Sequence, residues 1–313
     1  MRARLRPTYQ GRPLPRPAEE LVDQGLGFDL QTLVGRRQLL RGFGLGVAAV
    51  GLAACGGSSA ATTTTSAATA AAASGEIPDE TAGPYPGDGS NGPNVLTSSG
   101  IVRSDIRSSF GEMSGTAAGV PMELELVITD LAQGGAPFAG VAVYVWHCDQ
   151  EGRYSLYSSG VEDQNFLRGV QIADADGRVR FTSIFPACYD GRWPHIHFEV
   201  YPDEASIVDD ANLIATSQVA LPEDASSAVY ATSGYEASVS NLSRVSLSDD
   251  GVFGDDDGVS QLATVSGDVG SGYAVSLTVG VDTGTTPAAG GGTGGGPGGG
   301  PGGGMGGPPP GGA

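Results

Sequence analysis

The sequence predicts an all-β domain, a sandwich of two stacked sheets, from three observations. Met122-Glu123-Leu124-Glu125-Leu126-Val127-Ile128 and Tyr273-Ala274-Val275-Ser276-Leu277-Thr278-Val279 alternate apolar with polar residues, as strands do when one face meets a core and the other meets solvent. Val141-Ala142-Val143-Tyr144-Val145-Trp146 is apolar on both faces, the mark of a strand covered on both sides. Helix is hinted at only between Asp224 and Leu247, where Asp224 ahead of Ala225-Ser226 is placed to cap it. One half-exposed strand type and one buried type are what stacked sheets require.

Residues 1–54 read as an export signal. Arg36-Arg37-Gln38-Leu39-Leu40 and the small apolar run Gly42 to Ala54 have the twin-arginine layout, and Leu52-Ala53-Ala54-Cys55 resembles a lipoprotein cleavage box. The apolar run is short for a membrane span. A lipid on Cys55 would instead tether an exported chain to the outer face of the cytoplasmic membrane or the cell surface. Residues 55–76, nearly all Ser, Thr, Ala and Gly, form a linker, and residues 282–313 form a Gly/Pro-rich tail; both are expected to lack fixed structure because they carry little apolar surface to bury. Between them, residues 77–281 suffice for one domain and its core.

Charge excludes some partners. The formal net charge is −19, the chain has 16 basic residues and no lysine, and eight of those arginines fall before residue 55. A domain this acidic has no field to attract nucleic acid or anionic lipid, so neither is expected as a partner; solubility accounts for the charge.

Within the domain, Glu80-Thr81-Ala82-Gly83-Pro84-Tyr85 is turn-rich by its Gly-Pro. Asp176-Gly177, between Val170-Gln171-Ile172 and Val179-Arg180-Phe181, predicts a hairpin. The acidic run from Asp249 to Gly258 lacks the spaced ligands and closing glutamate of a calcium loop and reads as solvated. His147, between Trp146 and Cys148 at a strand end, reads as structural. Cys148 and Cys188 form an even pair in an exported chain, which allows a disulfide; two buried free thiols fit equally well.

Chemistry concentrates in Tyr189-Asp190-Gly191-Arg192-Trp193-Pro194-His195-Ile196-His197-Phe198. Alternate strand residues share a face, so His195 and His197 present two imidazoles together while Ile196, Phe198 and Val200 anchor the other side. These are two of only three histidines in the chain. Imidazole suits zinc, copper, nickel or iron, and neither His-Glu-x-x-His nor Cys-x-x-Cys accompanies the pair. The nearby tyrosines, Tyr189 and Tyr154, would supply hard anionic oxygen, which a ferric ion holds deprotonated.

Trp146-His147-Cys148-Asp149-Gln150-Glu151-Gly152-Arg153-Tyr154, Phe166-Leu167-Arg168-Gly169-Val170-Gln171, Asp174-Ala175-Asp176-Gly177, Pro186-Ala187-Cys188-Tyr189 and Arg192-Trp193-Pro194-His195-Ile196-His197-Phe198 together resemble the intradiol ring-cleavage dioxygenases, the family of catechol 1,2-dioxygenase and protocatechuate 3,4-dioxygenase. The resemblance covers roughly residues 80–281 and is strongest over 141–201. It implies a β-sandwich of the intradiol type and a non-haem Fe(III) held, in family order, by Tyr154, Tyr189, His195 and His197. It further implies that Tyr189 departs when a catechol binds through both oxygens, that Arg192 stabilises negative charge on the ring, that Gln218 assists, and that Tyr85 walls the pocket. The implied reaction cleaves a catechol between its hydroxyl-bearing carbons with O2 and yields a muconate-type diacid. Family members are often homo-oligomers.

Two departures bear on substrate. The loop between Tyr189 and His195 is shorter than in protocatechuate dioxygenases, and the helical amino-terminal region of catechol 1,2-dioxygenases is replaced by the linker. The competing readings are a non-catalytic β-sandwich lipoprotein that binds an extracellular ligand, and an enzyme with the same cage around another metal.

Overall fold

Strand β3 (Pro121–Asp130) turns Met122, Leu124, Leu126 and Ile128 inward, and β11 (Gly272–Val281) does the same with Tyr273, Val275, Leu277 and Val279. These two strands run parallel, with Tyr273 opposite Met122 and Val281 opposite Asp130. The antiparallel strands β10 (Thr264–Asp268), beside β11, and β7 (Arg178–Ile184), beside β3, extend the sheet, and short β4 (Ala136–Pro137) pairs with the end of β3. A second, antiparallel sheet has the order β6 (Arg168–Ile172), β5 (Ala142–Trp146), β8 (His195–Tyr201), β9 (Ala215–Ala220). The computed structural model describes residues 75–285 and, separately, an antiparallel pair of two-residue strands, β1 (Thr8–Tyr9) and β2 (Arg12–Pro13). Apart from those four residues, the expected export signal lies outside the described residues, as do Cys55 and nearly all of the linker and tail. Among the described residues no helix is long and apolar enough to cross a membrane.

The sandwich predicted from alternation is therefore present. Val143, Val145, Ile196, Phe198 and Val200 of the second sheet join the inward residues of the first in one core cluster. Each such side chain removed from water contributes about 1.5–3 kcal/mol. As expected, β5 is buried on both faces, because β6 and β8 flank it and further chain covers its outer side.

The predicted hairpin is not one. Asp176-Gly177 does form a tight turn, with Gly177 N–H donating to the Asp174 carbonyl at 2.9 Å, but β6 and β7 belong to different sheets. Gly177, at φ 74°, lies so close to β3 that a β-carbon would fall onto the Ile128 carbonyl oxygen. The edges of both strands are filled instead by residues 101–106: Arg103 N–H donates to Val170 and Ile106 N–H to Thr182. A Gly turn signals a reversal of direction; which edges then pair is decided by the sheets.

The helical hint resolves into α1 (Glu223–Tyr230) and α2 (Glu236–Leu242). Asp224 is not the cap. Pro222 stands at that position, and Asp224 lies in the first turn, where a carboxylate favours the helix dipole. Cys148 and Cys188 are buried free thiols, which decides between the two arrangements the sequence allowed.

Candidate metal centre

Directly opposed residues of antiparallel strands point to the same side, so the register lays Arg168, Trp146, His197 and Gln218 in a row across β6, β5, β8 and β9. This row floors the outer face of the second sheet. Trp146 lies flat on the His197 ring, with centroids 4.8 Å apart and planes 7° apart. His195 shares the face two residues away, as alternation predicted.

Loops bring the tyrosines to this face. After β5, Asp149 accepts from the backbone N–H groups of Glu151 and Arg153, folding a turn that delivers Tyr154. Leu156, just beyond, is held at φ 73°, a left-handed conformation that costs a branched residue energy and that the surrounding contacts must maintain. Tyr189 is braced from α2: the Ser238 hydroxyl accepts from Cys188 N–H, and Asn241 Nδ2 donates to the Cys188 carbonyl. Tyr189 Oη then stands 3.0 Å from His195 Nε2, and Tyr154 Oη stands 3.4 Å from each of these atoms. The His197 ring lies beside them, its centroid 4.8 Å from that of His195 and 6.1 Å from that of Tyr154, so the four residues expected to hold a metal are gathered.

Their protonation is set locally. His195 Nδ1 is 2.5 Å from the Trp193 carbonyl oxygen, which only accepts, so Nδ1 carries the proton and the Nε2 lone pair faces both tyrosines. His197 Nδ1 is buried with no hydrogen-bond partner among the described residues. Burial pushes the Tyr154 phenol well above its ordinary value, with Tyr189 adding to it, and pushes Tyr189 up to about 12 against the pull of Arg192. Burial also pulls His195 down to about 3 and His197 well below its ordinary range. Four neutral donors converging in a dry space, one lone pair aimed inward and one nitrogen orphaned, fit a cation that would supply the missing positive charge. Among the described residues no group of three His, Cys, Asp or Glu is arranged to ligate; half of this donor set is phenolic.

Arg192 and Gln218, the expected helpers, are joined. Arg192 Nη2 donates to Gln218 Oε1 at 2.7 Å, and Gln218 Nε2 donates to the Thr81 carbonyl at 2.9 Å. Sequence reasoning missed the residue behind them. Asp250, assigned to a solvated run, is buried; its Oδ2 accepts from Arg192 Nε at 2.9 Å and Trp193 N–H at 2.6 Å, and its Oδ1 from Val252 and Phe253 N–H. Burial alone would raise its carboxyl, yet Arg192 and these donors hold it below its ordinary value. The only available signal was the apolar pair Val252-Phe253 inside an acidic run, which needs cover that a fully solvated loop would not give.

A strap, residues 80–86, crosses the floor. Glu80 N–H donates to the Thr216 carbonyl, Thr81 is held by Gln218, and Tyr85, the expected pocket wall, packs on Tyr154 with ring centroids 4.9 Å apart. At the far end Arg168, almost wholly buried, gives all its donors to Tyr85 O, Pro86 O, Ser155 O, Ser155 Oγ and the Tyr144 hydroxyl. Gly83, at φ 72°, passes over His197; a β-carbon there would sit 3.4 Å from Cε1. His147 is structural, as expected: its Nδ1 donates to the Cys148 carbonyl and its Nε2 accepts from Ser183, with burial lowering it to about 4. The 520 Å³ groove lined by Arg107, Thr116, Pro121 and Ile184 contains none of the site residues.

Comparison with known proteins agrees with this geometry. The Dioxygenase_C family model, described as dioxygenase, matches residues 92–200, which include Tyr154, Tyr189, Arg192, His195 and His197. The chain is 39% identical over 56 residues to chlorocatechol 1,2-dioxygenase of Rhodococcus opacus, covering 18% of this chain and 22% of that one. It is 36% identical over 98 residues to the protocatechuate 3,4-dioxygenase beta chain of Burkholderia cepacia, covering 27% and 42%. The chain thus spans less than half the length of these curated relatives. The intradiol ring-cleavage dioxygenase from Tetranychus urticae shares the fold at a TM-score of 0.53 and 23% identity, over 68% of this chain and 97% of that one.

Proposed function

We propose, for a domain that belongs to the intradiol ring-cleavage dioxygenase family, that Tyr154, Tyr189, His195 and His197 hold a non-haem Fe(III) and that the chain cleaves catechol-type diols between their hydroxyl-bearing carbons. The observation that carries this reading is the convergence of Tyr154 Oη, Tyr189 Oη and His195 Nε2 within 3.0–3.4 Å of one another. When bound, Fe(III) supplies Lewis acidity that makes a chelated catecholate electron-rich toward O2.

The chain's own residues do the rest. Tyr154 and Tyr189 supply two phenolate charges, and neutral His195 and His197 add nitrogen without adding charge. Tyr189, the more exposed of the two phenols, is the one whose Oη can turn away and take a proton from an incoming catechol hydroxyl. Arg192, held by Asp250 and Gln218, directs positive charge at the ring position where negative charge develops. Tyr85 and the strap limit water over Tyr154. Catechol and O2 combine atom for atom into muconic acid, so no further reductant enters.

Full-length chain purified after iron loading should show a visible phenolate-to-iron band that shifts on adding catechol, with O2 uptake and a muconate-type product. A colourless protein after ferric loading would sink the four-residue site and favour a non-catalytic binding module. The reading extends to location, supported by the sequence of residues 36–55: export by the twin-arginine route and a lipid at Cys55. Radiolabelled palmitate incorporated by the parent chain and absent from Cys55→Ser would bear this out; equal labelling would refute it.

A further inference from the structure

Three tyrosine rings form a row that starts at the cage and ends at the surface. The Tyr85 ring touches the other two, its centroid 4.9 Å from that of Tyr154 and 5.3 Å from that of Tyr157. Tyr154 is 1% exposed, while Tyr157 is half-buried. Both rings reach Tyr85 because the chain turns between them: the Tyr154 carbonyl accepts from the Tyr157 and Ser158 N–H groups, and Leu156 takes its left-handed conformation. The Tyr157 hydroxyl then closes a ring of bonds over the strap. It accepts from Gly87 N–H at 2.9 Å and donates to Asn91 Oδ1 at 2.9 Å, and Asn91 Nδ2 donates to the Pro84 carbonyl at 2.7 Å. Tyr85 and Pro86 lie inside this ring, and their carbonyls are held from the other side by Arg168, whose guanidinium is 5.5 Å from the Tyr157 ring centroid. Tyr189 is not clasped in this way. Among the described residues its ring contacts are with Tyr154 and His195, both of the cage.

We propose that Tyr157 is a positioning residue for Tyr154: its hydroxyl clasps residues 84–91 so that the Tyr85 ring stays pressed on Tyr154, which makes Tyr154 the phenol that keeps its place when Tyr189 turns away. This rests on the iron and catechol reading above, and it supplies the asymmetry that reading needs between two chemically alike donors. Removing the Tyr157 oxygen leaves its ring against Tyr85 and Arg168 but gives the Gly87 N–H and the Asn91 side chain over to water, so the strap opens more often while the core is unchanged. Tyr154, uncovered in this way, is wetter and freer to rotate. The two phenols then compete for the role of departing group.

The test compares the full chain with Tyr157→Phe. Before iron loading, hydrogen exchange read by mass spectrometry over residues 83–92 should be roughly tenfold faster in Tyr157→Phe, the effect of losing one hydrogen bond of ordinary strength, with exchange in β5 and β8 unaltered. After ferric loading, without O2, the phenolate-to-iron band of the catechol complex should differ between the two proteins, because the parent retains Tyr154 alone and the variant a mixture. Asn91→Ala, at an exposed position, should reproduce both changes and carries the test if Tyr157→Phe does not fold. The double variant should add little to either single one, since both side chains close the same ring. Unchanged exchange over residues 83–92, or faster exchange with identical catechol-complex bands, would overturn the clasp and leave the iron site standing. A parent that shows no phenolate band after ferric loading would overturn it together with the reading it rests on.

Discussion

The indole of Trp146 lies parallel to the imidazole of His197 at 4.8 Å, and the two residues are register partners on β5 and β8. A strand residue read only as core thereby fixes the rotation of a candidate ligand whose Nδ1 has no hydrogen-bond partner among the described residues. Supports of this kind tune metal affinity by about 10–100-fold when removed. Trp146→Phe, which keeps a ring but loses overlap, should release iron to a chelator about tenfold more readily, measured by loss of the visible band, with the fold intact by circular dichroism.

Asp250→Asn should be costly in two ways. Leaving the mostly buried Arg192 without its counter-charge costs about 3–5 kcal/mol, read by denaturant titration. The unaimed guanidinium should lower kcat more than it raises KM. Because Arg192 and backbone donors hold the Asp250 carboxyl below its ordinary value of 3.8, its contribution is present above that value and is lost as pH falls through the folded one. The difference in melting temperature between parent and Asp250→Asn should therefore narrow below about pH 4.

Glu80 runs the opposite way. Its carboxyl, raised from 4.5 to about 8, keeps a proton in the folded state that the unfolded chain has lost, so its contribution weakens stability as pH rises through that window. Glu80→Gln should be progressively more stable than the parent from pH 5 to pH 8 by differential scanning calorimetry. A difference that does not vary with pH would exclude the buried, acid-faced environment.

Gly83→Ala should disturb the site from above. Its φ of 72° costs an L side chain about 1–2 kcal/mol, and the new methyl would press on His197. A lower melting temperature together with a shifted visible band is expected; a lowered melting temperature with an unchanged band would mean that the strap does not bear on His197.

The alternation in β3 and β11, beside the doubly apolar β5, carried the sandwich, because period 2 records which face a core must take. The same rule placed His195 and His197 side by side, and the tyrosines came from resemblance in ordered motifs. Asp250 was illegible because its partner, Arg192, lies 58 residues away and burial of an acid leaves no periodic trace. Arg168 and Trp146 were hidden for a related reason: their roles arise from a row across four strands that exists only once register is set. Asp176-Gly177 announced a turn truthfully, yet turn chemistry is local and the choice of sheet is not.

The parallel pairing of β3 with β11 joins residues about 150 positions apart, and Ile77 N–H donates to the Gly280 carbonyl beside it. Until the segment up to Val281 has left the ribosome, the first sheet lacks a strand from its middle, and the core beneath the site has one open side. Such distant pairing is slow and cannot proceed stepwise from the amino terminus. The order of events is thereby set: the cage of tyrosines and histidines, all encoded before residue 198, waits for a strand that ends more than eighty residues later. A ribosome stalled before Gly272 would hold every candidate ligand and no finished fold to present them.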